Sequence, residues 1–380
     1  MGANSQHADR KIFSTNFVHS QVMCFAKQRV QSAPMRALSS STAPLARSVV
    51  DDVLSVVRRY GSLAGHYSVF GPDPWRVLFS ESGDGLIFFL EARYCLLVWR
   101  GPVCAPGQHQ ELLEKVTDYA RARRRGLFLL HGDETTQAAA SSLGLRSLWI
   151  GHETFIEVPA FNLSGARREK VRLAMNYARR NGVTWREVHP RTSHADFEGL
   201  YTLEEAWKSE RKERRTNSFL RNDFTELSEH RRYFVAENED LTLASATLTK
   251  VSDESWYLQD IVRRPDAPRG ALEGAIAESI FTIQRDGATR LSNGPLPLWS
   301  PEDGDMRTAQ LGPLGRSILR TFDRSFRFRG INTFRTKLAP DEIVPLFVLY
   351  SRRGLSPTSI WSLLQLLRQP QAVEATHPKK

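Results

Sequence analysis

The chain has 380 residues, 41% hydrophobic, 10% aromatic and 25% charged, a globular composition that excludes collagen-like, low-complexity and disulfide-scaffold proteins. Lys and Arg number 52 against 42 acids, a formal charge of +10, which favours anionic partners such as nucleic acid or acidic lipid. Cys24, Cys95 and Cys104 lack metal-ligand or redox spacing, and the longest apolar runs are strand-length, so the expectation is a cytoplasmic protein without spanning helices.

Residues 1–49 carry a single acid, Asp9, and no sustained periodicity, which predicts a flexible extension. A helical pattern follows over 49–60, and 85–90 with 94–100 read as the two strands of a hairpin. Next come a helix over 108–124, a strand over 127–130, a helix over 134–142 and a strand over 147–158. This alternation is α/β. The second half repeats the theme with a basic helix over 164–181, a strand over 183–188 and a helix over 193–211. Strands over 231–237, 241–250 and 254–262 lead into a long helix over 270–286. A strand over 289–292, a helix over 307–326, a strand over 343–350 and a short last helix complete the pattern. The expected division is an extension (1–49), a first α/β unit (50–160), a second and catalytic one (161–352), and an amphipathic helix with a tail (353–380).

Basic residues cluster three times, and the run of Arg121 with Arg123, Arg124 and Arg125 reads as a solvated face. Arg167, Arg168, Lys170, Arg172, Arg179 and Arg180 crowd the 164–181 helix, and Arg211, Lys212, Arg214, Arg215 and Arg221 follow the next one. Each set can meet nucleic-acid phosphates or form a solvated face. Pro268-Arg269-Gly270-Ala271 opens the long helix, whose N-terminal N–H groups suit a phosphate; one glycine is a poor cradle for the pyrophosphate of coenzyme A. In the last helix Ile360, Leu363, Leu364 and Leu367 share a face near Arg352, Arg353 and Arg368, a pattern for packing on a core or lying on a membrane.

Read in order, several blocks resemble the C-terminal domain of the phosphatidylglycerol lysyltransferases. They are Arg100-Gly101-Pro102-Val103, Trp149-Ile150-Gly151-His152-Glu153, Phe161-Asn162-Leu163-Ser164-Gly165, Asp260-Ile261-Val262-Arg263-Arg264, Gly294-Pro295-Leu296-Pro297 and Phe334-Arg335-Thr336-Lys337-Leu338-Ala339-Pro340. The resemblance covers about residues 55–367. It implies a tandem pair of GCN5-related acyltransferase-like (GNAT) domains within an α/β fold. It also implies transfer of an amino acid from the 3′ end of aminoacyl-tRNA, as co-substrate, to a membrane lipid head group such as phosphatidylglycerol, by a protein peripheral on the inner face of the membrane, with no metal or bound cofactor. A soluble small-molecule hydroxyl or amine acceptor, an acyl-coenzyme A donor and a noncatalytic RNA-binding role stay open.

An aminoacyl ester is already activated, so positioning and oxyanion stabilisation dominate the chemistry. The resemblance implies functional roles for Asp260 and Arg263. Asp260 can accept hydrogen bonds from the substrate ammonium or take a proton, and Arg263 can hold a phosphate or carbonyl oxygen through its fork; an ordinary ion pair is the plain alternative. Trp149 stands where the family carries Lys, and His152 or Glu153 takes the place of its acid. His152 and Glu153 are therefore candidates for substrate binding together with Lys212, Glu213 and Arg264, and the amino acid need not be lysine. The expected tRNA contacts are Arg167, Arg168, Lys170, Arg172, Arg179, Arg180 and Arg211.

Overall fold

A computed structural model describes residues 47–61, 75–210, 228–239, 241–302 and 328–368. The first described helix is α1 (Arg47–Tyr60), followed by β1 (Arg76–Phe79), β2 (Leu86–Glu91) and β3 (Cys95–Trp99). Next come α2 (His109–Ala122), β4 (Gly126–Gly132), α3 (Glu134–Ser142) and β5 (Arg146–Glu157). The second half contributes α4 (Glu169–Arg180), β6 (Thr184–Val188), α5 (His194–Glu210), β7 (Arg231–Asn238), β8 (Leu241–Lys250) and β9 (Ser255–Arg263). It ends with α6 (Ala271–Arg285), β10 (Arg290–Pro297), α7 (Phe328–Lys337), β11 (Glu342–Tyr350) and α8 (Pro357–Arg368).

Alternation explains the first half. Phe88, Leu90, Leu97 and Trp99 pack with Val53 and Val57 of α1 and with Ile360, Leu363 and Leu366 of α8. Their neighbours Ile87, Phe89, Leu96 and Val98 pack on the opposite face with Leu112, Leu113 and Val116 of α2. A strand covered on both faces needs apolar residues at every position, and hence reads as a continuous run. The same two-sided cover forms in the second half, where α6 lies on β7 and β8 through Ile276, Ile280, Phe234, Ala244 and Ala246. Leu200 of α5 meets Tyr233 and Val235 from the other side.

Among the described residues the strands form one sheet in the order β1-β2-β3-β4-β11-β5-β10-β9-β8-β7-β6. The pairs β3–β4 and β9–β10 are parallel, and all other pairs are antiparallel. β11 is inserted between β4 and β5, with Glu342 opposite Phe155 and Tyr350 opposite Arg146. The chain thus returns from the second half to complete the sheet of the first.

Most expected elements stand within two residues of their observed bounds. Three differ in ways that matter. α4 begins at Glu169 rather than 164, because residues 165–168 form turns; Arg167 and Arg168 therefore precede the helix. β10 continues to Pro297, past the proline and glycine that ended the expected strand, because the register shifts between Ser292 and Gly294 and a bulge absorbs them. α7 was not expected from the sequence, and the expected helix over 307–326 lies outside the described residues. Ile360, Leu363 and Leu366 of α8 pack on the core, and these three are not available to lie on a membrane. No helix among the described residues is long and apolar enough to cross a bilayer.

Candidate active site

Parallel strands leave their carboxyl ends at the same side, where an α/β sheet commonly binds ligands. β9 and β10 pair in parallel only from Ser255–Arg290 to Tyr257–Ser292. Beyond that point each strand carries a bulge, between Thr247 and Leu248 in the β8–β9 ladder and between Ser292 and Gly294 in the β10–β5 ladder. The carboxyl half of β9, with Asp260, therefore separates from the carboxyl half of β10.

Beside this opening a buried polar cluster replaces the apolar core. Glu153 of β5, 0% exposed, is ion-paired with Arg100, 2% exposed, which follows the last residue of β3. The other carboxylate oxygen accepts a 2.7 Å hydrogen bond from the Ser292 hydroxyl. Burial of such a pair demands close geometry, because each ion alone costs several kcal/mol to dehydrate. Arg335 of α7 donates to the carbonyl of Pro295 and to Tyr257. Its guanidinium lies so close to Gly294 that an added Cβ would sit 2.6 Å from Cζ, and Gly294 has a φ of +89°. Only glycine meets both conditions.

The titration of the cluster follows from burial. Burial pushes the Tyr257 phenol up, against the opposing pull of Arg335 and Arg100, so Tyr257 is a neutral O–H donor at physiological pH. Burial, with Arg100 and Arg335 adding to it, holds His131 well below the usual imidazole range; it is neutral. Burial also lowers Arg335, opposed by Tyr257 and Glu153, and it remains a cation at neutral pH because arginine starts so high. The arrangement combines donors, Arg335 and Tyr257, with carboxylates in a poorly solvated setting. It suits an ester or phosphate oxygen on the donor side and an ammonium on the acid side.

The expected site residues divide sharply. Glu153 is at the centre of the cluster. Asp260 is partly buried opposite Thr247 on β8, and its charge acts on Tyr257. Arg263 is exposed at the end of β9. Arg264 pairs with Asp266 at 3.4 Å and its N–H donates to Leu243 O, a local strand-end contact. His152 accompanies Glu153 on β5 but uses Nδ1 against the carbonyl of Trp299 at 2.8 Å, with Trp149 and Trp299 edge-on to its ring. Nδ1 must carry its proton there, because a carbonyl oxygen can only accept. Lys212, Glu213 and Arg211 lie outside the described residues.

The basic set around α4 is not uniform. Arg168 is buried, donates to the carbonyls of Leu338 and Ala339, and pairs with Asp341 at 3.2 Å. This corrects the expectation of a phosphate contact, since its side chain ties α4 to the loop between α7 and β11. Arg167 also reaches Asp341. Arg172 donates to the carbonyls of Leu163 and Gly165 at 2.6 and 2.7 Å, and Arg179 bonds Asn176. Lys170 and Arg180 are exposed on α4.

The sequence profile described as "Phosphatidylglycerol lysyltransferase, C-terminal" matches residues 73–350. The chain belongs to this family. Phosphatidylglycerol lysyltransferase of Bacillus subtilis (strain 168) is 22% identical over 301 residues, covering 78% of this chain and 34% of that protein. The lysylphosphatidylglycerol biosynthesis bifunctional protein LysX of Nocardia farcinica is 25% identical over 240 residues, 62% of this chain and 21% of that protein. The chain thus spans about a third or less of these relatives. Among solved structures, the C-terminal domain of a putative lysylphosphatidylglycerol synthetase from Agrobacterium fabrum superposes with a TM-score of 0.72 at 18% identity, over 86% of this chain and 98% of that one. L-PGS from Bacillus licheniformis gives 0.67 at 18% identity, over 83% and 96%. These likenesses show that the chain shares the mixed α/β fold of those domains.

The residues that sequence reasoning passed over as site candidates are Arg100, His131, Tyr257, Ser292 and Arg335, of which Arg100 and Arg335 stand inside the family blocks. One signal was available: Arg100 directly follows the run Cys95–Trp99, whose five positions are all buried, and a charge ending a fully buried strand needs a buried partner. Tyr257 and Ser292 carry no comparable signal.

Proposed function

We propose that this chain transfers an aminoacyl group from the 3′ end of tRNA to a hydroxyl of an anionic lipid head group such as phosphatidylglycerol. Membership of the lysyltransferase family supports the reaction class. The observation that carries the assignment of the site is the polar cluster beside the splayed ends of β9 and β10. There Arg335 and Tyr257 present donors next to Asp260, with Glu153 and Arg100 holding the floor.

The acceptor hydroxyl oxygen attacks the ester carbonyl, and its proton passes to the departing ribose oxygen as the tetrahedral intermediate collapses. Arg335 and the neutral Tyr257 stabilise the oxyanion of that intermediate. Asp260 holds the ammonium of the amino acid. Lys170 and Arg180 on α4 meet tRNA phosphates. A donor other than coenzyme A is also supported by the start of α6. Gly270 is packed so tightly on α4 that a Cβ would fall 1.9 Å from Ala174 O. Glu273 in the first turn of α6 is buried and paired with Lys337, so a carboxylate already occupies the turn where a pyrophosphate would bind.

The test is transfer from a mixture of labelled aminoacyl-tRNAs to phosphatidylglycerol vesicles, with an RNase-treated control. RNase-sensitive label in the lipid phase is expected and identifies the amino acid. Asp260→Asn should lower the rate about 100-fold, the scale of a lost positioning contact. Intact tRNA esters with no lipid label would refute the lipid reading, and label in a soluble acceptor would replace it.

A further inference from the structure

The active-site cluster uses the carboxyl ends of β3 and β4, and the amino ends of the same strands carry a different surface. Tyr94, just before β3, accepts through its carbonyl from Gly126 N–H and from the Ser359 hydroxyl, and its N–H donates to Ser362 Oγ. These bonds gather the starts of β3, β4 and α8 into one edge. Gly126 is part of the same junction, since an added Cβ would fall 2.7 Å from both Gly354 Cα and Ser359 Oγ.

Large apolar side chains project from this edge. Trp361 is 56% exposed and Leu355 47%, whereas Ile360, Leu363 and Leu366 of α8 pack on the core. Arg93 lies over the Tyr94 ring at 5.1 Å. Between α2, α3 and the turn before α8 is a pocket of about 270 Å³, lined by Arg121, Arg125, Arg352 and Arg353 over a wall that includes Leu127 and Leu143. Nearby acids do not balance these cations. Glu91 is shared by Arg76, Arg123 and Arg125, Asp118 meets only the exposed Arg121, and Arg352 and Arg353 pair with no acid among the described residues.

We propose that this edge docks the chain on an anionic phospholipid surface, with one phosphodiester head group in the arginine pocket and Trp361 and Leu355 at head-group depth. Arginines explain the charge preference and an exposed tryptophan the depth, because amphipathic rings favour the interface. Nucleic acid would match the arginines but leave Leu355 and Trp361 unexplained. The lipid held here anchors and does not react, since it sits at the strand ends opposite Arg100 and His131. The inference deepens the lipid reading above and rests on it for the chemistry of the partner.

The full chain is floated with phosphatidylcholine vesicles, with and without phosphatidylglycerol. Binding should require the anionic lipid. R352Q/R353Q should weaken it about 30-fold, from about fivefold per arginine near an anionic surface, and W361S should weaken it independently. R285Q, which removes one positive charge at an exposed position of α6, should leave it unchanged. Equal binding to neutral vesicles, or wild-type flotation by both the arginine and Trp361 variants, would overturn the proposal. So would variants that lose tRNA affinity in filter binding but keep vesicle affinity. Transfer to monomeric dihexanoyl-phosphatidylglycerol separates the two readings. Docking variants should retain it, whereas its absence in the wild type, with flotation intact, would defeat the transfer reading alone.

Discussion

Glu153→Gln removes one charge from a pair whose members are 0% and 2% exposed. Arg100 is then buried without its counter-ion, and an arginine cannot shed its proton to escape. Breaking a buried pair from one side costs about 3–5 kcal/mol. The Ser292 hydroxyl still has an amide oxygen to meet, so that contact adds little. Arg100→Met leaves Glu153 with the opposite option, since a buried carboxyl takes up a proton; its cost should be smaller and should shrink as pH falls. The double variant R100M/E153Q carries neither charge and should be more stable than the sum of the single losses predicts, by about 2 kcal/mol or more, within the range of measured pair couplings. Urea unfolding of the wild type and the three variants gives the four free energies at a shared m-value. Total stability of about 5–15 kcal/mol leaves room to measure them. Additivity within about 0.5 kcal/mol would refute the view that the two residues form one desolvated pair.

Gly294→Ala meets both a positive φ and the Arg335 guanidinium, so it should cost about 1–3 kcal/mol in strain and lower transfer more than tenfold; Gly83→Ala, with φ +79° but open space around it, should show strain without loss of rate. His131 is held below its unfolded value of 6.5, so it contributes stability that is present above pH 6.5 and lost as pH falls toward its folded value. His131→Gln should flatten that acid limb in a series of unfolding curves. Lys170→Gln with Arg180→Gln should lower the slope of log tRNA affinity against log salt by about 1.5, at roughly 0.7–0.9 per lost phosphate contact. Arg168→Gln should leave that slope unchanged and reduce stability instead, as its bonds to Leu338 and Ala339 require.

The elements with simple periodicity were readable. The hairpin of β2 and β3 needed only apolar runs, and the structure adds that Asp133 accepts from Thr136 N–H as the N-cap of the helix at 134–142. The start of α4 was misplaced because the charges of Arg167 and Arg168 look helical, while Arg168 is spent on a contact with Asp341, 173 residues away. The site was readable in part. Glu153 and Asp260 were singled out through the family blocks, whereas Tyr257 and Ser292 lie in ordinary strand patterns and gain meaning only from what faces them.

By itself the sequence determined the local periodicities, the absence of apolar runs long enough to span a bilayer, and an ordered set of blocks specific enough for a family. Those are properties of neighbouring residues and of composition. Tertiary structure decided that β11 sits between β4 and β5, that Arg100 meets Glu153, and that α8 packs Ile360, Leu363 and Leu366 on the core while leaving Trp361 outside. Such pairings join residues distant in sequence. Their energies depend on desolvation and geometry at the point of contact, which no local pattern encodes.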